Sequence, residues 1–227
     1  MTLGRPRRHL RETGSTNDVA RALATAGAPH GTMVTAGVQT AGRGRQGRTW
    51  AAPAGRALLL SLVLREYDAL VSLRAGLAVA DVAGPAARVK WPNDVELGGR
   101  KVAGVLVEAR PQEGWAVAGI GVNAAVDPNE LPADVRDRAG GLGRAPGELD
   151  DLLAELLRTL ALRLGQPAPA VLADLRERDA LRGREVTWAA GRGIADGIAE
   201  GGGLRIRLED GGVELLRAGE VRVRAAG

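Results

Sequence analysis

Between two apolar runs, 32–39 and 57–64, the chain places three glycines and three arginines in the seven residues from Gly42 to Arg48, and Trp50 follows. The segment reads Gly42-Arg43-Gly44-Arg45-Gln46-Gly47, which satisfies the G-x-G-x-x-G fingerprint of a dinucleotide-binding turn. That fingerprint needs a strand before it and a helix after it to receive the pyrophosphate. The strand is available at 32–39. The helix is not, because the chain runs through Arg48-Thr49-Trp50-Ala51-Ala52-Pro53 into a second strand-like run, Ala57 to Leu64. The pattern therefore argues against a doubly wound nucleotide fold and predicts a loop between two strands. Glycine lets its backbone approach a ligand closely, and arginine supplies planar donor forks for phosphate or carboxylate. A solvated basic loop is the alternative reading of the same residues.

With 227 residues, 45% hydrophobic and 26% charged, the chain has the composition of a soluble globular protein with room for one substantial core and a small appended domain. No basic-apolar-small leader or long apolar span is present, from which a cytoplasmic location without membrane association is expected. There are no cysteines, and the only histidines are His9 and His30. Thiolate chemistry is excluded, and a histidine triad or zinc site has little to draw on. Charge is uneven: residues 1–50 carry +6 and the remaining 177 carry −2. Such a basic end concentrates anionic ligands, as it would a nucleic acid.

Arginine outnumbers lysine 29 to 2, and both lysines sit in unusual sequence, Lys90-Trp91-Pro92-Asn93-Asp94 and Arg100-Lys101-Val102-Ala103-Gly104. An ammonium is a compact point charge that arginine cannot copy in a tight pocket. Three of the four asparagines, Asn17, Asn93 and Asn123, also lie in motif-like segments.

Periodicity predicts a strand at 8–12, a helix opened by Ser15 or Thr16 as N-cap and running to about residue 26, and strands at 32–39 and 57–64. A helix over 69–83, a strand at 87–91, a Gly98-Gly99 turn and strands at 102–109 and 115–123 follow. Proline-rich coil at 127–132 leads to a leucine-rich helix from about 149 and a second helix at 169–179. From Arg184 the pattern changes to short strands with hairpin signals at Gly201-Gly202-Gly203 and Asp210-Gly211-Gly212. The expectation is an α/β domain, residues 1–180, with a small β-barrel, residues 181–227, packed on it.

The ordered set Ser15-Thr16-Asn17, the Gly/Arg loop, Lys90–Asp94, Lys101-x-x-Gly104-x-Leu106-x-Glu108 and Gly119-Ile120-Gly121-Val122-Asn123 closely resembles the biotin–protein ligases along the whole chain. The resemblance implies a mixed-sheet catalytic domain of the class II aminoacyl-tRNA synthetase/biotin ligase type and an SH3-like C-terminal domain. It also implies a two-step reaction: biotin and ATP with Mg²⁺ give biotinyl-5′-AMP and pyrophosphate, then a carrier lysine takes the biotinyl group as an amide. Such chemistry asks the protein for cationic charge and backbone N–H groups rather than a nucleophile of its own, which suits this residue inventory.

On the same resemblance, Ser15, Thr16, Asn17 and Gln39 would meet the biotin ureido ring. Gly42, Arg43 and Gly44 would contact biotin and the acyl phosphate, and Arg45 and Arg48 the phosphates. Trp50 would cover the pocket. Lys90 would face ATP phosphates, and Asn93 and Asp94 would address the nucleotide or its magnesium, Asp94 being the metal ligand. Lys101 would stand between the biotin carboxylate and the α-phosphate, the main catalytic cation alongside Arg43 and Arg45. Gly104 and Leu106 would line the biotin slot. Gly119 and Gly121 would allow close backbone approach, and Asn123 would bind the adenylate. Glu108 reads equally well as an outward strand residue.

The first motif begins at Ser15, so the resemblance is to the short form without an N-terminal DNA-binding domain, and specific DNA binding is not expected. The expected partner is a biotin carboxyl carrier domain of an acyl-CoA carboxylase, and exposed sheet edges suggest a homodimer. A lipoate–protein ligase would share the adenylation logic. A non-catalytic basic nucleic-acid module would explain the charged front end but not the two isolated lysines or the glycine-flanked Asn123.

Overall fold

A seven-stranded mixed sheet organises the first part of the chain, which a computed structural model describes over residues 3–224. Its strands are β1 (Arg7–Thr13), β2 (Met33–Gln39), β3 (Ala57–Leu64), β4 (Arg88–Lys90), β5 (Asp94–Leu97), β6 (Arg100–Arg110) and β7 (Trp115–Asn123), in the order β1-β2-β3-β7-β6-β5-β4. Only β1 and β2 run parallel, joined through helix α1 (Thr16–Thr25); the other neighbours are antiparallel. β3 is buried at all eight positions, as its unbroken apolar run requires.

Each face of the sheet is covered by an element whose apolar residues recur at helical spacing. Ala20 and Ala24 of α1 pack on Val34, Val63, Trp115 and Val117 on one face. On the other, α2 (Val71–Ala83) packs against α4 (Leu149–Gly165), whose Leu152, Leu153, Leu156 and Leu160 are buried, with α5 (Ala168–Glu177) beside them. A one-turn helix, α3 (Ala133–Arg136), lies in the segment after β7.

The C-terminal strands β8 (Glu185–Trp188), β9 (Gly191–Ile198), β10 (Leu204–Arg207), β11 (Val213–Leu216) and β12 (Arg222–Val223) form an antiparallel sheet in the order β11-β10-β9-β8-β12. Both predicted hairpin turns are present, between β9 and β10 and between β10 and β11. Val186, Ala195, Ile198, Leu204 and Ile206 join the same core as α2 and α4. Trp91, 3% exposed, donates its indole N–H to the Gly202 carbonyl at 3.0 Å, so the Lys90–Asp94 turn is fastened to the second sheet.

Local chemistry misled in four places. No strand is expected between residue 91 and the Gly98-Gly99 turn, yet Asp94 opens β5, because pairing with β4 and β6 completes the hydrogen bonds of this short segment. α3 lies between the proline-rich coil at 127–132 and the leucine-rich helix, where no element is expected. Ser15 holds the N-cap position of α1 with extended backbone, but its side chain makes no capping hydrogen bond. β1 begins at Arg7, one residue before the strand expected at 8–12. The outer ends of the two expected domains, residues 1–2 and 225–227, lie outside the described residues. Among those described, no helix is long and apolar enough to cross a membrane.

Candidate functional site

One cavity of about 930 Å³ gathers residues from α1, β2, the Gly/Arg loop, the β4–β5 turn, β6 and β7. Every residue expected at the site lines it except Gly42, which faces a larger outer groove on the far side of the loop. Lys101 and the arginine loop therefore share a recess.

The loop is a closed hairpin. Trp50 N donates to Gly42 O at 2.9 Å, Gly44 N to Arg48 O at 2.7 Å, and Arg43 bridges Thr49. A Cβ at Gly42 would overlap the Trp50 carbonyl, so glycine is required for closure. Residues Arg45–Gly47 make a single 3₁₀ turn with Gln46 in the left-handed region (φ 54°), where a dinucleotide turn would start a helix. Downstream, the Trp50 indole lies across the glycine-walled floor: a Cβ at Gly121 would stand 2.5 Å from the ring and one at Gly104 3.0 Å.

At one end, helix α1 brings Ser15, Thr16 and Asn17, each 3% exposed, against Ser61 of β3, which is fully buried. Thr16 N and Oγ1 both donate to Gln39 Oε1, at 2.8 and 2.9 Å. Asn17 Nδ2 donates to Glu108 at 2.8 Å, which turns its Oδ1 toward Ser61 Oγ, 2.6 Å away. Ser61 Oγ also meets Thr16 Oγ1 at 2.8 Å, whose own proton goes to Gln39. One serine proton faces two acceptors, so the cluster is a donor short, and a ligand N–H would supply it.

Across the rest of the cavity the arginines and lysines expected at the site, Arg45 excepted, each hold a carboxylate. Arg43 meets Asp18 at 2.8 Å and Glu108 at 3.2 Å, Lys101 meets Asp94 at 2.7 Å, Lys90 meets Glu96 at 2.8 Å, and Arg48 meets Glu220 at 3.0 Å. Arg45 has no such ion pair among the described residues, and burial pulls its guanidinium below its ordinary range, partly offset by the field of Asp94. A desolvated cation without a fixed counter-ion is a ready anion receptor. Lys101 Nζ also stands 5.5 Å from the Trp50 ring centroid. The Asn93 amide is held by the Val105 carbonyl at 2.9 Å, and Asn123 Nδ2 donates to Gly140 O at 3.0 Å.

Buried polar atoms without hydrogen-bond partners concentrate here: of the six among the described residues, four, Arg43 Nε, Trp50 Nε1, Asp94 Oδ1 and Asn123 Oδ1, belong to cavity residues. Asp94 Oδ1 is close to Lys101, but the angle is that of an ion pair rather than a directed hydrogen bond, leaving a lone pair available. Unmet hydrogen-bonding capacity grouped at one recess is the signature of a ligand site.

Sequence reasoning missed three contributors. Ser61 carried the signal of a lone hydroxyl within an eight-residue apolar run. Pro132, Asp134, Val135, Arg138 and Ala139, from α3 and its flanks, and Gly219 to Val223, leading into β12, line the cavity itself, and no local pattern announces them.

Comparison with known proteins fits this geometry. The model of the Biotin/lipoate A/B protein ligase family matches residues 10–124. The chain is 38% identical to a biotin–[acetyl-CoA-carboxylase] ligase from Mycobacterium tuberculosis, the match covering 92% of this chain and 86% of the relative. It is also 38% identical to the bifunctional ligase/repressor BirA of Bacillus subtilis, where the match covers 60% of this chain but only 46% of that longer protein. A solved biotin protein ligase from Aquifex aeolicus, in complex with biotin and ATP, superposes with a TM-score of 0.82 at 28% identity, covering 98% of this chain and 100% of that one. By the family match across half its length and a relative covered over most of its own, the chain belongs to the Biotin/lipoate A/B protein ligase family.

Proposed function

We propose that this chain is a biotin–protein ligase: it activates biotin with MgATP to biotinyl-5′-AMP and transfers the biotinyl group to a specific lysine of a biotin carboxyl carrier protein of an acyl-CoA carboxylase. The observation that carries the reading is the convergence of Lys101 and the Gly/Arg hairpin on one cavity whose opposite end offers a donor-poor cluster of Thr16, Asn17 and Ser61. A cyclic urea carries two N–H donors, one of which meets the shortfall in that cluster. Its carbonyl oxygen takes a donor such as the Gln39 Nε2, left free by the commitment of Oε1 to Thr16.

With the ring so held, the valeryl chain runs along the floor of Gly104, Leu106, Gly119 and Gly121, and its carboxylate reaches Lys101 and Arg43. A carboxylate oxygen attacks the α-phosphorus of ATP, the bond to the bridging oxygen breaks, and pyrophosphate leaves. Lys101 offsets the negative charge gathered at the meeting of two anions, and Arg45 and Arg48 hold phosphate oxygens. Lys90, Asn93 and Asn123 address the nucleotide. In the second step the carrier amine attacks the acyl carbon and AMP departs, the ammonium proton passing to solvent or the phosphate. Magnesium carried by the nucleotide is matched by Asp94, a half-buried carboxylate with an available lone pair; such ions need one or two carboxylates beside the phosphates. No larger cluster of metal-ligating side chains occurs among the described residues.

The second sheet corresponds in this reading to an SH3-like domain, residues 181–227, set on a synthetase-type catalytic domain, residues 1–180. A cytoplasmic enzyme associating as a homodimer through an open sheet edge completes it.

The test is ATP–pyrophosphate exchange. Exchange should depend on biotin and not on lipoate, and Lys101→Ala should lower it by about a hundredfold or more, as removal of one preorganised charge-stabilising donor does, while leaving the fold intact. Exchange driven by lipoate would move the assignment to the lipoate side of the family. Near-normal exchange by Lys101→Ala would defeat the role given to that lysine.

A further inference from the structure

We propose that Glu108 is a positioning residue that couples the ring end of the cavity to the arginine hairpin, an inference whose functional part rests on the ligase reading above. Glu108 lies on β6 and lines the outer groove, not the cavity itself. Its side chain is 23% exposed and takes three donors: Asn17 Nδ2 at 2.8 Å, Arg43 Nη2 at 3.2 Å and Arg21 Nη1 at 3.4 Å. Two of those donors belong to residues that line the cavity, Asn17 on α1 and Arg43 on the hairpin. The carboxylate therefore acts on the site through its neighbours.

The chemistry of the contacts makes Glu108 a switch of geometry rather than a spare surface charge. A carboxylate only accepts, so it dictates that the Asn17 amide nitrogen faces outward and the oxygen faces Ser61. Both contacts end on the same oxygen, Oε2, so Asn17 and Arg43 share one acceptor atom. Losing either donor frees the carboxylate to follow the other. Arg43 Nε is buried without a partner, so the Glu108 and Asp18 contacts at its Nη2 fix the orientation of its fork. An occupant that pulls on Asn17 thus changes what holds the hairpin, and an anion that pulls on Arg43 changes what holds Asn17.

Double-mutant cycles between Asn17→Ser and Arg43→Gln test the coupling. In ligand-free protein unfolded with urea, the unfolding constant of the double variant should differ at least threefold from the product of the single effects, although separate elements carry the two residues. In biotin titrations the double variant should lose at least threefold less affinity than the product of the single losses. Placed on Glu108→Gln, both cycles should become multiplicative, whereas Asp18→Asn, which removes the other carboxylate on Arg43, should leave the non-additivity in place. Multiplicative unfolding effects in the otherwise unaltered protein overturn the proposal without needing a folded Glu108 variant, as does non-additivity that survives Glu108→Gln. A non-additive unfolding cycle in a protein that takes up no biotin would uphold the coupling and bring down the ligase reading alone.

Discussion

Gly119 offers the sharpest perturbation, because the space its missing side chain leaves is filled by a single functional group. A Cβ built there stands 2.9 Å from Asn17 Cγ and 3.1 Å from Nδ2, and nearer still to Oδ1. Ordinary contacts need about 3.5 Å, so Gly119→Ala must drive the Asn17 amide back by at least ~0.5–1 Å. The amide cannot retreat without cost: it is 3% exposed and held by Ser61 at 2.6 Å and Glu108 at 2.8 Å. Leaving buried polar groups unpaired costs about 1–3 kcal/mol each, and relief by movement of α1 returns part of it, so a net loss of about 2–3 kcal/mol is expected. At about 2–4 °C per kcal/mol for a chain of this size, the melting temperature should fall by roughly 4–12 °C. Biotin affinity, measured by calorimetry, should fall by at least about tenfold, as one ring contact of about 1.4 kcal/mol is lost. Gly147→Ala is the control, since a Cβ at 147 meets nothing within 4 Å and its backbone is ordinary. A Gly119→Ala protein that melts within a degree of the parent and binds biotin within twofold would refute the account of this wall.

Two further outcomes probe the scaffold. Arg163 of α4 joins Asp81 of α2 at 2.7 and 2.9 Å and Asp174 of α5, and hydrogen bonding to Asp81 holds its guanidinium above the ordinary range. Arg163→Met should destabilise by about 1–3 kcal/mol in urea, less than the breaking of a fully buried pair because these partners are partly exposed and Asp81 keeps Arg178 at 3.3 Å; a loss below about 0.5 kcal/mol would contradict the clamp. Burial pushes the Asp179 carboxyl above its ordinary value, against the backbone N–H of Leu181 at 2.8 Å, and its Oδ2 has no partner. A raised carboxyl stabilises the fold while protonated, fully below the unfolded value of 3.8, and that contribution is lost as pH rises through the folded value. Asp179→Asn should therefore raise the melting temperature at about pH 8 and gain little near pH 4; an equal gain at both would remove ionisation as the cause.

The amino-acid sequence alone determined the elements whose signal is local. The apolar run 57–64 and the strand 115–123 match their observed ends, and the leucine spacing from 149 onward matches α4, because burial of a strand or a helix face is written in consecutive residues. The polar site residues were legible for a different reason: glycine clusters, two isolated lysines and scarce asparagines are costly to place without a task. What the sequence did not contain was their pairing. Ser61 meets Asn17 across 44 positions, Arg43 meets Glu108 across 65 and Asn17 meets Glu108 across 91, and Arg48 reaches Glu220 in the connection between β11 and β12. Such contacts follow from strand order and sheet packing, which bring the ends of β2, β6 and β7 to one recess. Short elements were lost likewise: β5 and α3 exist because neighbours complete their hydrogen bonds and cover their apolar side chains, and residues 219–223 reach the cavity only because the second sheet docks through Trp91 and the shared core. Composition and spacing selected the chemistry, and tertiary packing decided which cations hold a carboxylate before any ligand arrives.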